Sequence, residues 1–391
     1  MPSRIKASIV AVGRSAIGTA RKGTLANMPA VELAKPVTTA VIERSGLVPS
    51  DFDDFVLAEV MQGGGDSARY IAVELGLTDI PGVAVNRQCA SSLSAIAIGA
   101  GHIAAGMSCA VLAGGMESLS TTPVTRKRKP FTKDEYDDPW VSLSHPPTED
   151  APAMDMSITV AHNCATQYGI TREDQDAWAL RSHQRAVKAR DSGSFVDEIV
   201  PLDVPRQDGS TAVFGEDEHP RPDTSMEILG GLKVLHPEIP GFTVTAGNSS
   251  GMNDAAAVVA LARPEDFPDA MAGILSWAQV GVPPNRTGSG PIEAIPKALA
   301  LAGLSLKDVD LFEINEAFAA QAVACSRALD LDEDLVNVYG SGISLGHPIA
   351  ATGARMVTSA TYELRRRGGG IGVVSMCAGG GMGAAMVIEV S

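Results

Sequence analysis

Aromatic side chains make up only 4% of this 391-residue chain, and lysine plus arginine number 31 against 46 for aspartate plus glutamate. The net charge of −15 opposes non-specific binding to nucleic acid or to an anionic membrane, because both need a positive field. Long apolar runs are missing too. No stretch approaches the roughly 20 residues that cross a bilayer, and the opening MPSRIKASIVAVGRSAIG has neither the apolar core nor the cleavage site of a signal peptide. These absences predict a cytoplasmic protein with no membrane or nucleic-acid partner. Cysteine is sparse. Cys89, Cys109, Cys164, Cys325 and Cys377 form an odd set without CxxC pairs or Cys/His metal spacing, which argues against a disulfide framework and against a metal site. A special cysteine in this chain is therefore expected to be chemical rather than structural.

Glycine, in contrast, is abundant at 40 residues, and the 45% hydrophobic and 20% charged composition is that of an ordinary globular protein. The length predicts two or three packed units. Over the first 120 residues apolar runs (SIVAVG, FVLAEV, AVLAGG) alternate with helix-like segments (MPAVELAKPVTTAVIERSG, SSLSAIAIGAGHIAAG), the mark of an α/β unit around a buried sheet. From 121 to 241 prolines and charges dominate, apart from one helix, TREDQDAWALRSHQRAVKARDSG, with Thr171 as N-cap and Gly193 beyond its last turn. This region reads as an inserted loop domain. The segment TVTAGNSSGMNDAAAVVALA then predicts a strand, a polar turn and an apolar helix that return to the first unit. A second α/β series follows. The division predicted is 1–120 plus 242–268, the insert 121–241, and 269–391. VLAGGM at 111–116 and VVSMCAGGGM at 373–382 echo each other and suggest two pseudo-symmetric halves.

Four segments can carry chemistry. In NRQCASSLSAIAIGAG, Cys89 stands just before a long apolar helical pattern, with Ser91 and Ser92 at capping positions. The unpaired N–H groups of a helix start stabilise a thiolate and are expected to lower the thiol pKa; a lone cysteine, however, is more often a small buried hydrophobe. In GSGISLGHPIAATGAR, Pro348 fits a first helical position, which puts His347 at the helix start as a base toward a thiol or, kept neutral, as an N–H donor to an oxyanion. An isolated histidine is more often simply a satisfied polar residue. In SMCAGGGMG, Cys377 ends an apolar strand, and the glycines after it form either an anion-binding nest or a hairpin turn. In EINEAFAAQ, Asn315 lies between a strand and a helix expected to start near Glu316, a natural N-cap position that is also where open α/β sheets place their sites. The basic run Arg126, Lys127, Arg128, Lys129 reads as a solvated loop.

Taken in order, NRQCASS, NEAF (Asn315–Phe318), GHP (Gly346–Pro348) and C-x-GGG-x-G (Cys377–Gly383) resemble the thiolase family over essentially the whole chain, as do GRSAIG, SHQRA, RPDTS and TAGNSSGMNDAAA. The resemblance implies a thiolase-like α/β fold and an acyltransferase that cleaves 3-ketoacyl-CoA by thiolysis. Cys89 would be the nucleophile that carries the acyl group, His347 its base, and Cys377 the second acid and base. Asn315 would hold a water at the thioester oxygen, with the backbone N–H groups of Cys89 and Gly379 at the other oxyanion. It further implies CoA contacts at Arg221 and Ser250, coenzyme A as a substrate with no tightly bound cofactor, and a homodimer or homotetramer. The reverse reaction, condensation of two acetyl-CoA, is open to the same site, and a silent CoA-binding scaffold is the reading from another class. The sequence departs from the family in the insert, where PAMDMSITVAHNCA lacks the usual His-Met pair, and at Tyr339, where asparagine is frequent. Those departures point to a substrate larger than acetoacetyl-CoA.

Overall fold

Short apolar runs bounded by glycine and polar turns become strands, and longer runs become the helices that cover them. The computed structural model describes residues 5–391. In chain order the strands are β1 (Ala7–Arg14), β2 (Gly18–Thr19), β3 (Asp54–Ala58), β4 (Gly82–Val85), β5 (Ala110–Ser118), β6 (Arg126–Arg128), β7 (Tyr136–Pro139), β8 (Leu202–Pro205), β9 (Thr211–Phe214), β10 (Asn253–Ala262), β11 (Ala272–Gly281), β12 (Leu311–Ile314), β13 (Gly370–Ala378) and β14 (Met382–Val390). The α-helices are α1 (Ala30–Ser45), α2 (Ser67–Glu74), α3 (Ser91–Ala104), α4 (Asn163–Tyr168), α5 (Arg172–Asp191), α6 (Met226–Gly230), α7 (Gly290–Ala302), α8 (Ala319–Ala328) and α9 (Thr352–Arg367).

One strand pattern occurs twice. The main sheet runs β12-β13-β14-β11-β1-β10-β5-β3-β4, with β2 paired to β10. In the first half β3 is parallel to β5, and β10 is antiparallel to both β5 and β1. In the second half β12 is parallel to β13, and β14 is antiparallel to both β13 and β11. The halves meet where Ala7–Ile9 of β1 pairs antiparallel with Ala272–Ile274 of β11.

Alternation along these strands separates the cores. Val111, Ala113, Ala257, Val259 and Leu261 of the first half join Val374, Met376, Met386 and Ile388 of the second in one central cluster with residues of α3 and α9. Leu112, Val258 and Ala260 face the other way, toward α1, while Val373 and Val387 face away from the centre toward α7 and α8. The helices α3 and α9 therefore lie between the two halves of the sheet, and each half has its own outer helical cover.

The segment DAAAVVALA is not the apolar helix expected from its composition. It is β10, buried along its full length and flanked by β1 and β5. A strand covered on both faces needs apolar residues at every position, so its sequence loses the alternation that distinguishes strand from helix. The helix in the insert begins as expected: the Thr171 hydroxyl accepts from Asp174 N at 3.1 Å, the Asp174 carboxylate accepts from Thr171 N at 2.9 Å, and Gly193 follows at φ +74°. Such a cap contributes about 1 kcal/mol. The basic run lies on the exposed hairpin of β6 and β7. Arg14 of the GRSAIG segment ties the insert to the sheet. Its buried guanidinium donates to Glu198 at 2.7 Å and to both Asp217 oxygens at 2.8 and 2.9 Å.

Candidate active site

The residues just before the first central helix, Arg87–Ala90, are fixed by a short turn ahead of α3. Gln88 takes φ +49°, a left-handed conformation that costs a non-glycine residue of order 1–3 kcal/mol, immediately before Cys89. Ser91 does not cap α3; its hydroxyl accepts from Arg87 N at 2.7 Å and donates to Gln88 O at 2.5 Å, which braces the turn that carries the cysteine. Ser92 is not a cap either. Its hydroxyl accepts from Ala354 N in the first turn of α9, at 3.0 Å, and the backbone at Gly353 packs on Leu93. The starts of the two central helices therefore meet, and each brings its own candidate residue.

On the α9 side the helix begins at Thr352, later than the sequence suggested, because Pro348–Ala351 forms a separate turn with Pro348 O accepting from Ala351 N and Thr352 N. His347 precedes that turn. Its backbone N–H donates to Asn253 Oδ1 at 3.0 Å, and its Nδ1 lies 2.7 Å from the Thr352 hydroxyl. That hydroxyl gives its only proton to Pro348 O, 2.9 Å away, so its oxygen accepts from His347 and Nδ1 carries the imidazole proton. Nε2 is then a lone pair, buried and without a partner.

The third and fourth candidates come from the second half of the sheet. Cys377 lies two residues past Ser375, which pairs with Ile314 at the end of β12. The turn Gly379–Gly381 joins β13 to β14, so the glycines form a hairpin, and the same hairpin turns the Gly379 N–H toward the Cys89 sulfur. The N–H of Cys89 itself faces that sulfur as well. Asn315 donates its backbone N–H to Ser375 O at 2.9 Å. It is not the N-cap of a helix starting near Glu316. Helix α8 begins at Ala319 without a side-chain cap, and both Asn315 amide atoms are buried without any partner. Sequence placed Asn315 correctly at the strand end, but an extra stretch of extended chain separates it from the helix.

At rest the two thiols and the imidazole of the site are uncharged. Burial pushes the Cys89 thiol up to about 11, against the lowering contacts from the Gly379 and Cys89 N–H groups. This reverses the lowered pKa expected at a helix start: although Cys89 keeps part of its surface open, loss of water around the sulfur outweighs the N–H groups. Burial likewise lifts Cys377 well above the usual thiol range, with Cys89, Cys325 and Cys164 adding to the effect. Burial, helped by Arg355, holds His347 down to about 3, so its imidazole is uncharged. The structure thus brings together two protonated thiols, a neutral imidazole with a free Nε2, and an unpartnered amide. This set can pass protons and stabilise transient anions, and it places no fixed charge on the reacting groups.

Sequence reasoning missed Thr352 and Glu117. The first lies five residues after His347, where a hydroxyl on a short turn was the available signal. The second is a buried carboxyl two residues past Gly115, the last β5 partner of β3, which is the position Cys377 holds in the other half. It accepts from Met61 N at 3.1 Å, Gln62 Nε2 at 2.5 Å and Ala350 N at 3.2 Å, and burial pushes it up to about 7. The echo between VLAGGM and VVSMCAGGGM does not point to it, because Gly114 and Gly115 lie within β5 whereas Gly379–Gly381 form the turn after β13.

The predicted CoA contacts fall near one cavity of about 330 Å³ lined by His183, His219, Arg221, Gly247, Ser249 and Ile343, among others. Arg221 is exposed there. Ser250 follows the lining residue Ser249, and its N–H donates to Ala317 O at 3.0 Å, which lays this segment against the loop that carries Asn315. On the far side of that loop a small apolar cluster of Val160, Ala317 and Cys377 packs with Met156 and Phe318. Val160 belongs to a π-helical turn, Ser157–His162, in the part of the insert where the sequence departs from the thiolase pattern. Turns of this kind, with one residue more than an α-helical turn, are frequent at functional sites.

Comparison with known proteins agrees with the geometry. Residues 7–265 match the family model for the thiolase N-terminal domain and residues 269–390 that for the thiolase C-terminal domain. The chain is 41% identical to a 3-ketoacyl-CoA thiolase of Bacillus subtilis, over 98% of this chain and 99% of that one. Among solved structures it matches the acetyl-CoA acetyltransferase of Bacillus anthracis at 41% identity and TM-score 0.89, covering 98% of each chain. It also matches human mitochondrial 3-ketoacyl-CoA thiolase in complex with CoA at 36% identity and TM-score 0.89, again over 98% of each. The chain belongs to the thiolase family.

Proposed function

We propose that this protein catalyses thiolysis of a 3-ketoacyl-CoA to acetyl-CoA and a shortened acyl-CoA, through an acyl group carried on Cys89. The observation that carries the reading is the free Nε2 lone pair of His347, fixed by Thr352, at the junction of α3 and α9 where Cys89 sits. His347 Nε2 takes the Cys89 proton as the sulfur attacks the 3-keto carbon. The N–H groups of Cys89 and Gly379 receive the oxyanion that forms. Breaking the carbon–carbon bond sends its electron pair to the thioester enolate, whose oxygen meets the new Nε2–H and a water held by Asn315. Cys377 then gives its proton to the enolate carbon, releasing acetyl-CoA. As a thiolate, Cys377 takes the thiol proton of a second CoA, whose sulfur attacks the acyl-Cys89 thioester. Cys89 leaves and recovers its proton from His347, so every group ends as it began.

The likeness to proteins named for both directions supports one site that also runs the condensation of two acetyl-CoA. We assign thiolysis of a substrate larger than acetoacetyl-CoA as the working direction, in fatty acid or steroid degradation. The observation in favour is that Val160 of the π-turn at Ser157–His162, and Met156 just before it, pack beside Cys377 in the stretch that lacks the usual His-Met pair. Arg221 and the Ser249–Ser250 segment would hold CoA. The first half (1–120 with 242–268), the insert (121–241) and the second half (269–391) are the units we propose. The protein would assemble as a homodimer or homotetramer, a reading supported by the free edge of β4, where Val83 is exposed beside Tyr70 and Val73 of α2; light scattering gives the mass that decides it.

Mixing the protein with acetyl-CoA and mapping peptides by mass spectrometry tests the chemistry. An acetyl group on Cys89, lost in Cys89→Ala, is expected, and a chain that binds CoA with no adduct is a scaffold instead. Comparing kcat/KM for thiolysis across acyl lengths, ring-bearing groups included, then fixes the substrate.

A further inference from the structure

Asn315 raises a physical question: with neither amide atom bonded to protein, its side chain has no hydrogen bond of its own to hold its direction. The residues on either side are held instead. Ahead of it, the Asn337 amide acts as a missing strand neighbour, its Oδ1 accepting from Ile314 N and its Nδ2 donating to Ile314 O, both at 2.8 Å. Asn337 takes φ +50° to do this. Behind it, the buried Glu316 carboxylate gathers four donors from three segments. Oε1 accepts from Trp178 Nε1 at 2.9 Å and Asn337 Nδ2 at 3.0 Å. Oε2 accepts from Ser182 Oγ at 2.6 Å and Ile343 N at 3.3 Å. The bond to Ile343 also fixes its neighbour Gly342, whose backbone lies so close that a Cβ there would come 2.7 Å from Asn315 Oδ1.

We propose that Glu316, together with Asn337, is a positioning residue that aims the Asn315 amide at the water and thioester oxygen. Trp178 and Ser182 belong to α5, so the insert reaches the reacting atoms through this carboxylate. Glu316 touches no substrate; its effect passes through Asn315. Misplacing a reacting group by about 1 Å costs about a hundredfold in rate, and a loosened amide with the water still available falls short of that.

This inference rests on the role given to Asn315 above, and a double-mutant cycle separates the two. Glu316→Gln keeps the size and one carbonyl acceptor but sets its NH2 against a donor. The expected result is a fall in kcat of about tenfold, with KM for CoA within twofold of wild type. Asn315→Ala is expected to lose about a hundredfold or more. Glu316→Gln added to Asn315→Ala should change kcat by less than twofold. An additive further loss of about tenfold would overturn the proposal and leave Glu316 a purely structural residue. If Asn315→Ala alone keeps the wild-type kcat, the role of Asn315 itself falls, and this one with it. Asn337→Ala provides a second route should Glu316→Gln unfold: the same non-additivity is expected, and an additive loss would again refute the positioning role.

Discussion

Replacing Thr352 with valine removes one oxygen from the site and leaves its shape nearly intact, so it isolates the imidazole proton. In the native protein the Thr352 hydroxyl accepts from His347 Nδ1 at 2.7 Å and donates to Pro348 O at 2.9 Å. Valine leaves Nδ1–H buried with no acceptor, which costs about 1–3 kcal/mol. The ring escapes that cost by moving its proton to Nε2, where the lone pair that should receive the Cys89 proton is lost. A neutral hydrogen bond sets the tautomer preference at about 0.5–1.5 kcal/mol, so by this term the active tautomer falls by up to about tenfold. Misorientation of the ring adds to this, and in a triad where the wrong tautomer dominates entirely the loss reaches about 10⁴. We therefore expect kcat for thiolysis to drop between about tenfold and a hundredfold in Thr352→Val, with KM for CoA little changed, and to stay within about threefold of wild type in Thr352→Ser. The assay is steady-state thiolysis of a 3-ketoacyl-CoA, with thermal unfolding followed in parallel. Equal kcat for Thr352→Val and wild type would show that Thr352 does not set the proton on His347, and the assignment of Nε2 as base would fail.

The raised Cys89 thiol makes a second prediction with a definite sign. A pKa of about 11 instead of the ordinary value near 8.5 leaves about two-hundredfold less thiolate at pH 8, so alkylation of Cys89 by iodoacetamide in the free protein should be slow and should still be rising above pH 9; a plateau below pH 8 would contradict the dominance of desolvation. A third prediction concerns the hairpin that carries Gly379. Gly381 sits at φ +80° with Val282 O against the place of a Cβ, so Gly381→Ala should lose about 1–3 kcal/mol from strain alone and more from the clash. Gly106→Ala, at φ +71° with open space around it, provides the strain-only comparison. Urea titration that finds the two variants equally stable would remove the clash from the argument.

Much of the candidate site was legible in the sequence because its residues stand at element ends, where local sequence is informative. Cys89 before an apolar helix, Asn315 at a strand end, and Cys377 ahead of three glycines were each visible within a dozen residues. What escaped depends on distance in the chain. The turn at Cys89 is braced by Ser91, but its relation to His347 runs through Ser92 and Ala354, 262 residues apart. Glu117 carries no motif, and its partners Met61, Gln62 and Ala350 come from two other segments. The misread strand β10 shows the same limit at the level of the fold: nine residues of alanine, valine, leucine and aspartate fit either a core helix or a central strand, and only the neighbours β1 and β5 decide. The thiol pKa was misjudged for a related reason. A helix start lowers it, but the amount of water left around the sulfur depends on how the whole site closes.

That closure gives the mechanism its logic. A resting Cys89 thiolate beside a charged imidazolium would place two ions in a site where burial has moved both groups toward their neutral forms. In the proposed mechanism the pair becomes charged only when substrate is present, because the same proton transfer that leaves positive charge on Nε2 creates negative charge within reach of the Gly379 and Cys89 N–H groups. Under the same proposal Cys377, which burial keeps protonated at rest, gives its proton to the enolate carbon and is ionised only until the second CoA arrives. A fixed arginine or lysine at this point would bind the enolate oxygen more strongly, but it would also hold Cys377 as a thiolate and remove the proton it must deliver. Neutral donors whose charge appears with the reaction avoid that conflict. In that mechanism the unpartnered amide of Asn315, whose chain neighbours Ile314 and Glu316 are tied to Asn337, is the member of the set that can contribute to the oxyanion without altering either thiol.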